Sequence, residues 1–290
     1  MEKRFDMITD SACDMPEEYL SQHGVVCVKL GYTMGEENYE GENGLHLAPA
    51  DFYARVRGGE MPTTSQVTGE TAKAYMEEIL QKGRDVLAIT FSSALSGTSG
   101  SFVVAQRELS ALYPDRKIIV VDSLCASMGQ GLLLEYALKK AETGASIEET
   151  AEYVEDLKLH ICHYFTVDNL FHLKRGGRVS TATAIVGSLL KIKPVMHVSN
   201  EGKLVPIGKA MGRKKSLHQL VELLVEDKDM DENDPIFISH GDCMEDVEYV
   251  KKLLQERIPG VQIYVNYVGP VIGAHSGPGT VAIFNKGKKR

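Results

Sequence analysis

Val86-Leu87-Ala88-Ile89-Thr90-Phe91, running straight into Ser92-Ser93-Ala94-Leu95-Ser96-Gly97-Thr98-Ser99-Gly100-Ser101, is the stretch that decides the fold. A short apolar run without alternation reads as a strand buried on both faces. The residues beyond it turn into a helix whose apolar face is Phe102, Ala105 and Leu109. A strand that ends in serines and glycines and then becomes a helix gathers hydroxyls and free N–H groups at one point, a cradle for an anionic oxygen.

The same alternation continues on both sides. Phe5 to Thr9 reads as a strand, Glu17 to Gln22 as a short helix after Pro16, and Val25 to Leu30 as a second strand. Ala72, Tyr75, Met76, Ile79 and Leu80 recur at helical spacing, Lys117 to Val121 form a further strand, and Leu132 to Ala141 a helix. Ser146 with Glu149 makes a capping box for a helix carrying Ile147, Ala151, Val154 and Leu157 on one face. Strand and helix taking turns predict an α/β fold with a mainly parallel sheet. Gly31 to Gly59, poor in periodicity, reads as a long excursion over this first unit.

After His160 the texture changes. Strand-like segments at Tyr164 to Val167, Val195 to Val198 and Val261 to Val268 alternate with helical stretches near Ala182 to Leu190, Leu217 to Val225 and Val247 to Leu254. A mixed α/β unit is expected there, so the chain divides into domains 1–160 and 161–290. At 290 residues and 43% hydrophobic content, two such cores are affordable in size.

A net charge of -8 and a pI near 5.6 argue against a nucleic-acid partner. The basic tail Lys286 to Arg290 reads as a solvated end. No apolar run approaches the ~18 residues of a spanning helix and Met1 to Asp6 is charged, so a cytoplasmic protein without a transmembrane segment is expected. Five scattered cysteines form no C-x-x-C pair, and His160, Cys162 and His163 would point to opposite faces of a strand, so neither a disulfide framework nor a metal site is expected.

Other polar segments stand beside the serine turn. Asp10-Ser11 and Asp122-Ser123 each follow an apolar strand, where the carboxylate caps the next turn or faces a ligand. Thr63-Thr64-Ser65 reads as a helix N-cap. Arg175-Gly176-Gly177-Arg178 is either an exposed basic turn or a carboxylate- or phosphate-pairing one. Gly269 to Gly279 is a Gly- and Pro-rich loop that presents His275. P-loop, dinucleotide and nucleophile-elbow signatures are absent.

Taken in order, Asp10-Ser11, Thr64-Ser65-Gln66, Ser92 to Thr98, Val121-Asp122-Ser123, Leu173 to Arg178, Lys193-Pro194 and Gly273 to Gly279 resemble the DegV family of bacterial fatty-acid-binding proteins. The resemblance implies two α/β domains enclosing a long-chain fatty acid, with no other cofactor. Its carboxylate would be held by Thr64, Ser65, Ser93 or Ser96, and Gly97, with His275 close by. It also implies presentation of the carboxylate to a separate ATP-dependent fatty acid kinase, with Arg175, Arg178 and Arg213 as partner contacts. Met211 stands where members of the kinase-partner type commonly carry Arg. Two other readings remain open on the residues alone: a hydrolase or acyl transferase with Ser93 or Ser96 as nucleophile and His275 as base, and a triose-kinase-like subunit.

Overall fold

The structure, a computed structural model, describes residues 5–39, 47–180, 191–231 and 233–290. The helical stretch expected near Ala182 to Leu190 lies outside them. The first half runs β1 (Phe5–Asp10), α1 (Glu17–Gln22), β2 (Val26–Val28), β3 (Gly31–Met34), β4 (Glu37–Tyr39), α2 (Pro49–Arg57), β5 (Thr63–Ser65), α3 (Gly69–Gln81), β6 (Asp85–Thr90), α4 (Thr98–Leu112), β7 (Ile118–Asp122), α5 (Met128–Glu142) and α6 (Ile147–Leu157). β1, β2, β6 and β7 form a parallel sheet in the order β2-β1-β6-β7. Ile8, Ala88 and Val120 lie in register across it, and Ile8 and Ala88 are wholly buried.

The second half begins at His160, where the chain enters β8 (Ile161–Thr166), then α7 (Phe171–Arg175), β9 (Ile192–Val198), β10 (Leu204–Met211), α8 (Arg213–Asp227), β11 (Ile236–His240), α9 (Met244–Arg257), β12 (Ile263–Tyr267), α10 (Pro270–Ser276) and β13 (Val281–Lys286). Its sheet order is β10-β9-β8-β13-β11-β12, antiparallel throughout except at β11 and β12. α8 and α9 pack on one face through Leu217, Leu220, Val247 and Leu254.

α5 joins the two sheets. Leu132, Leu133 and Leu134 are all buried, so this helix is apolar around its circumference and needs cover on every side. It shares one continuous core with Phe5 and Leu87 of the first sheet and Phe165, Met196 and Phe284 of the second.

Three expectations are corrected. The stretch from Gly31 to Gly59 is not a bare excursion: β4, β3 and β5 form an antiparallel sheet, and Tyr32, Met34, Phe52 and Tyr53 are buried beneath α2 and that sheet. Arg55 closes the unit on Glu37 and Glu60. Thr63 to Ser65 pair as β5 rather than capping a helix; the cap of α3 is Thr68, which accepts the Thr71 N–H at 3.1 Å. The basic tail is docked, because Lys286 faces Asp234 at 3.6 Å and the Arg290 guanidinium donates to the carbonyls of Leu124, Lys158 and Ile161. The Ser146–Glu149 capping box forms as read. No helix among the described residues is long and apolar enough to cross a membrane.

Candidate ligand-binding site

The turn after β6 is built by the two Asp-Ser echoes. Asp10 accepts the Phe91 N–H at 2.7 Å and the Ala12 N–H at 3.1 Å, and Asp122 accepts the N–H groups of Ser93 and Leu124, both at 3.1 Å. The capping reading of both aspartates therefore describes what they do. Burial pushes the Asp10 carboxyl up to about 6, opposed by those N–H donors.

These bonds set the serines apart. Ser92 is buried and donates to Gly202 O at 2.9 Å. Ser93 is exposed and lines no part of the cavity described below, and its N–H is held by Asp122. Ser96 faces inward, its Oγ 2.9 Å from Thr98 Oγ1. Gly97 opens α4, and a Cβ there would fall 2.0 Å from Gln66 Oε1, so the glycine leaves room for Gln66 against the helix start.

β5 and α10 bring the second group. Thr64 Oγ1 lies 2.8 Å from His275 Nε2. His275 belongs to the last turn of α10, a helix begun by Pro270 at its first position, where the sequence had suggested a loop. The other ring nitrogen, Nδ1, packs against Gly176 and has no hydrogen-bond partner among the described residues; a Cβ on Gly176 would lie 2.0 Å from it. Burial, with Arg178 and Arg175 adding repulsion, lowers His275 to about 4, so the ring is neutral near pH 7. A bare lone pair is cheaper to bury than an unpaired N–H, which assigns the proton to Nε2. His275 then donates to Thr64 Oγ1, and the threonine hydrogen is free to donate onward.

The basic turn is divided. Arg178 lines the cavity and donates to Leu95 O at 3.0 Å and to Gly176 O, with burial lowering its pKa. Arg175 ties α10 to the approach to β5 by donating to Ala274 O at 2.9 Å and Pro62 O at 3.0 Å. Arg213 is held by Asp246 at 2.9 Å and Gly279 O at 2.6 Å and is not among the side chains that line the cavity. Met211 is exposed. Of the three expected partner contacts, Arg178 forms part of the cavity wall, exposed Arg175 donates to two carbonyls, and Arg213 pairs with Asp246 and Gly279 O.

All of this surrounds a cavity enclosing about 990 Å³ of empty space, mouth included. Thr64, Ser65, Gln66, Ser96, Gly97, Arg178 and His275 line one part of it, and the exposed Ser65, Gln66 and Gly97 mark the opening. Leu30 and Phe91 from the first half of the chain and Phe165, Leu204, Val271 and Phe284 from the second supply apolar walls. Mostly apolar walls with a few convergent polar groups are the usual chemistry of small-molecule sites. Sequence reasoning missed Ser127, Ser239 and Ser276, which also line it. Ser127 and Ser239 carried no local signal, since each depends on a contact across the chain. No cluster of potential metal-holding side chains exists among the described residues.

With this geometry in hand, the likeness to known proteins is extensive. A DegV domain-containing protein of Clostridium perfringens is 43% identical over 283 residues, covering 97% of each chain. Protein DegV of Bacillus subtilis is 35% identical over 282 residues, covering 96% of this chain and 97% of its own. Among solved structures, a DegV described as a fatty acid binding protein from Bacillus subtilis superposes with a TM-score of 0.84 at 33% identity, over 99% of this chain and 100% of that one. A DegV family protein from Thermus thermophilus, described by its fatty acid binding, gives 0.87 at 29%, over 98% and 99%. The family model described as DegV, a family of uncharacterised proteins, matches residues 4–287, and the chain belongs to the DegV family.

Proposed function

We propose that this protein binds a long-chain fatty acid between two lobes, residues 1–160 and 161–290, and presents its carboxylate to a separate ATP-dependent fatty acid kinase in the cytoplasm without carrying out the chemistry itself. The observation that carries the reading is the cavity: apolar walls from both halves of the chain lead to hydroxyls, a helix start and one guanidinium at its opening. The described structures of similar proteins that bind fatty acids support it.

The two ends of such a ligand divide the work. An acyl chain of about sixteen carbons gains roughly 12 kcal/mol at ~0.8 kcal/mol per methylene, against ~4–15 kcal/mol of association and ordering costs. The tail supplies affinity. At the head, Thr64 and Ser96 donate hydroxyls, Gly97 leaves the start of α4 open, and Arg178 supplies positive charge. Neutral His275 orients Thr64 rather than competing for the anion. Hydroxyl donors hold an oxygen while leaving its other lone pairs open, as attack on a phosphoryl donor requires. His275 reaches Thr64 rather than Ser93 or Ser96, and its unpartnered Nδ1 has no carboxylate to align it, which weighs against a serine nucleophile with a triad-like base.

The test is calorimetric titration of delipidated protein with palmitate, followed by incubation with a fatty acid kinase and ATP. Micromolar or tighter binding and acyl phosphate formation are expected. Failure of any long-chain acid to bind sinks the reading; binding without acyl phosphate sinks the kinase half alone.

A further inference from the structure

The cavity wall contains oxygens that a plain hydrocarbon tail cannot use. Ser239 pairs with Ala282 across β11 and β13, and both line the cavity. Its Oγ lies 2.9 Å from Ser127 Oγ, which donates to the Asp14 carboxylate at 2.5 Å. A serine has one hydroxyl hydrogen. Whichever of the two serines gives the hydrogen between them, Ser239 keeps at least one lone pair for an outside donor. Asp14 is itself fixed by the Gly269 N–H at 3.0 Å. Ser127 is held at φ +53°, ψ −147°, a backbone region open essentially to glycine alone. The chain keeps this strained position with a serine whose hydroxyl continues the row from Asp14 to the cavity.

Ser276 supplies the complementary atom. It is only 5% exposed, lines the same cavity, and its Oγ has no hydrogen-bond partner among the described residues. Leaving a buried hydroxyl unmade is costly, and such groups are rare in folded proteins. The next residue, Gly277, turns its carbonyl against Gly241, where a Cβ would meet it at 2.7 Å, and Gly241 follows Ser239 by two residues. Ser276 and Ser239 both line this cavity, and the backbone beside each meets at Gly277 and Gly241. The other polar groups nearby are engaged: Thr280 Oγ1 donates to Gly277 O at 2.8 Å, and His163 Nε2 accepts the Ala126 N–H at 3.2 Å. One free donor and one free acceptor in one cavity complement an alcohol, which is both.

We propose that Ser276 and Ser239 form a subsite for an oxygenated acyl chain, and that the ligand class this protein prefers is long-chain acids bearing a mid-chain hydroxyl. The ligand oxygen accepts from Ser276 and its hydrogen goes to Ser239. The proposal rests on the fatty-acid reading above and adds to it a preference that an all-apolar cavity would reverse, since a hydroxyl buried there without partners binds worse than a methylene.

Calorimetry on delipidated wild-type protein compares octadecanoic acid with monohydroxy octadecanoic acids substituted at successive mid-chain carbons. One positional isomer is expected to bind about tenfold tighter than the plain acid, the ratio of a single net hydrogen bond at the upper end of its range. Ser276→Ala and Ser239→Ala should each remove that advantage and leave octadecanoic acid within about twofold of wild type. If every hydroxy isomer binds more weakly than the plain acid, the subsite is overturned while the fatty-acid reading stands. Equal loss of both acids in Ser276→Ala would instead assign Ser276 to the carboxylate and also overturn it. If no acid of either kind binds, the fatty-acid reading itself has failed. The wild-type comparison needs no variant to fold.

Discussion

Gly176→Ala tests the head-group geometry through one methyl. At Gly176 the backbone is φ −72°, ψ −7°, a conformation alanine adopts without strain, so the substitution acts through space alone. The added carbon would sit 2.0 Å from His275 Nδ1, and ordinary contact begins at 3.4 Å, so the ring must retreat by about 1.4 Å. Thr64 holds the ring's other nitrogen at 2.8 Å, so a shift of that size cannot keep the geometry of that bond. Overpacking of this kind costs about 1–3 kcal/mol, and the lost bond ~0.5–1.5 kcal/mol. The expected outcome is a Tm lowered by roughly 4–10 °C, with palmitate affinity reduced about tenfold because Thr64 is no longer oriented. The control is Gly177→Ala. Gly177 lies at φ +73° with nothing within 4 Å, so alanine there strains the backbone by ~1–2 kcal/mol and leaves the ring in place. Denaturation and calorimetry on both variants separate the effects. Wild-type affinity in Gly176→Ala, or equal loss of affinity in both, would refute the argument that this glycine exists to seat His275.

Thr64→Ala and Ser96→Ala are each expected to weaken palmitate binding by about 1.5–3 kcal/mol, as for hydrogen bonds to a charged group, whereas exposed Ser93→Ala should leave calorimetric affinity unchanged. His275 should titrate near pH 4 without ligand and higher with fatty acid bound, because a carboxylate nearby favours the imidazolium; two-dimensional NMR of the ring nitrogens checks both values. Burial raises Asp14 to about 7, so the folded state binds its proton more tightly than the unfolded chain. Its contribution is complete below the unfolded carboxyl range and is lost as pH rises through 7, a decline of about 4 kcal/mol; urea denaturation of Asp14→Asn at pH 5 and pH 8 should show a flatter dependence. Arg290→Ala removes donors to the Leu124 and Lys158 carbonyls, and hydrogen exchange should quicken in residues 123–127 before it does in the first sheet.

Legibility in the sequence followed the range of the interactions. β6 and the turn after it were readable because an apolar run and a serine-glycine cluster are local signals, and the Ser146–Glu149 box is local too. β3 to β5 were not readable: Tyr32 and Thr64 face each other in the ladder although far apart in the chain, and the threonine-rich stretch looks the same whether it caps a helix or pairs as a strand. Arg290 was misread for a similar reason. A charged tail reads as solvated unless the carbonyls that receive it are known, and those belong to four distant turns and strands. Thr64 and His275 entered the site through the order of motifs, yet nothing in their neighbourhoods says that Gly176 packs between them and the basic turn.

The distribution of charge at the opening favours an anion over any apolar molecule of suitable length. Arg178 is half-buried, and among the described residues its hydrogen bonds go to the carbonyls of Leu95 and Gly176, which satisfy donors without cancelling charge. Burial alone disfavours that cation, as the lowered pKa states. His275 makes no competing claim, because the same burial keeps it neutral. A carboxylate arriving at Thr64 and Ser96 supplies the missing negative charge and reverses the penalty on Arg178, while the hydroxyls fix its direction. A fatty alcohol of equal length would keep the tail energy and lose this compensation, so its affinity should fall below that of the acid by more than the hydroxyl bonds alone account for. Equal affinities for the alcohol and the acid in the same calorimeter would mean that Arg178 is a wall of the cavity and nothing more.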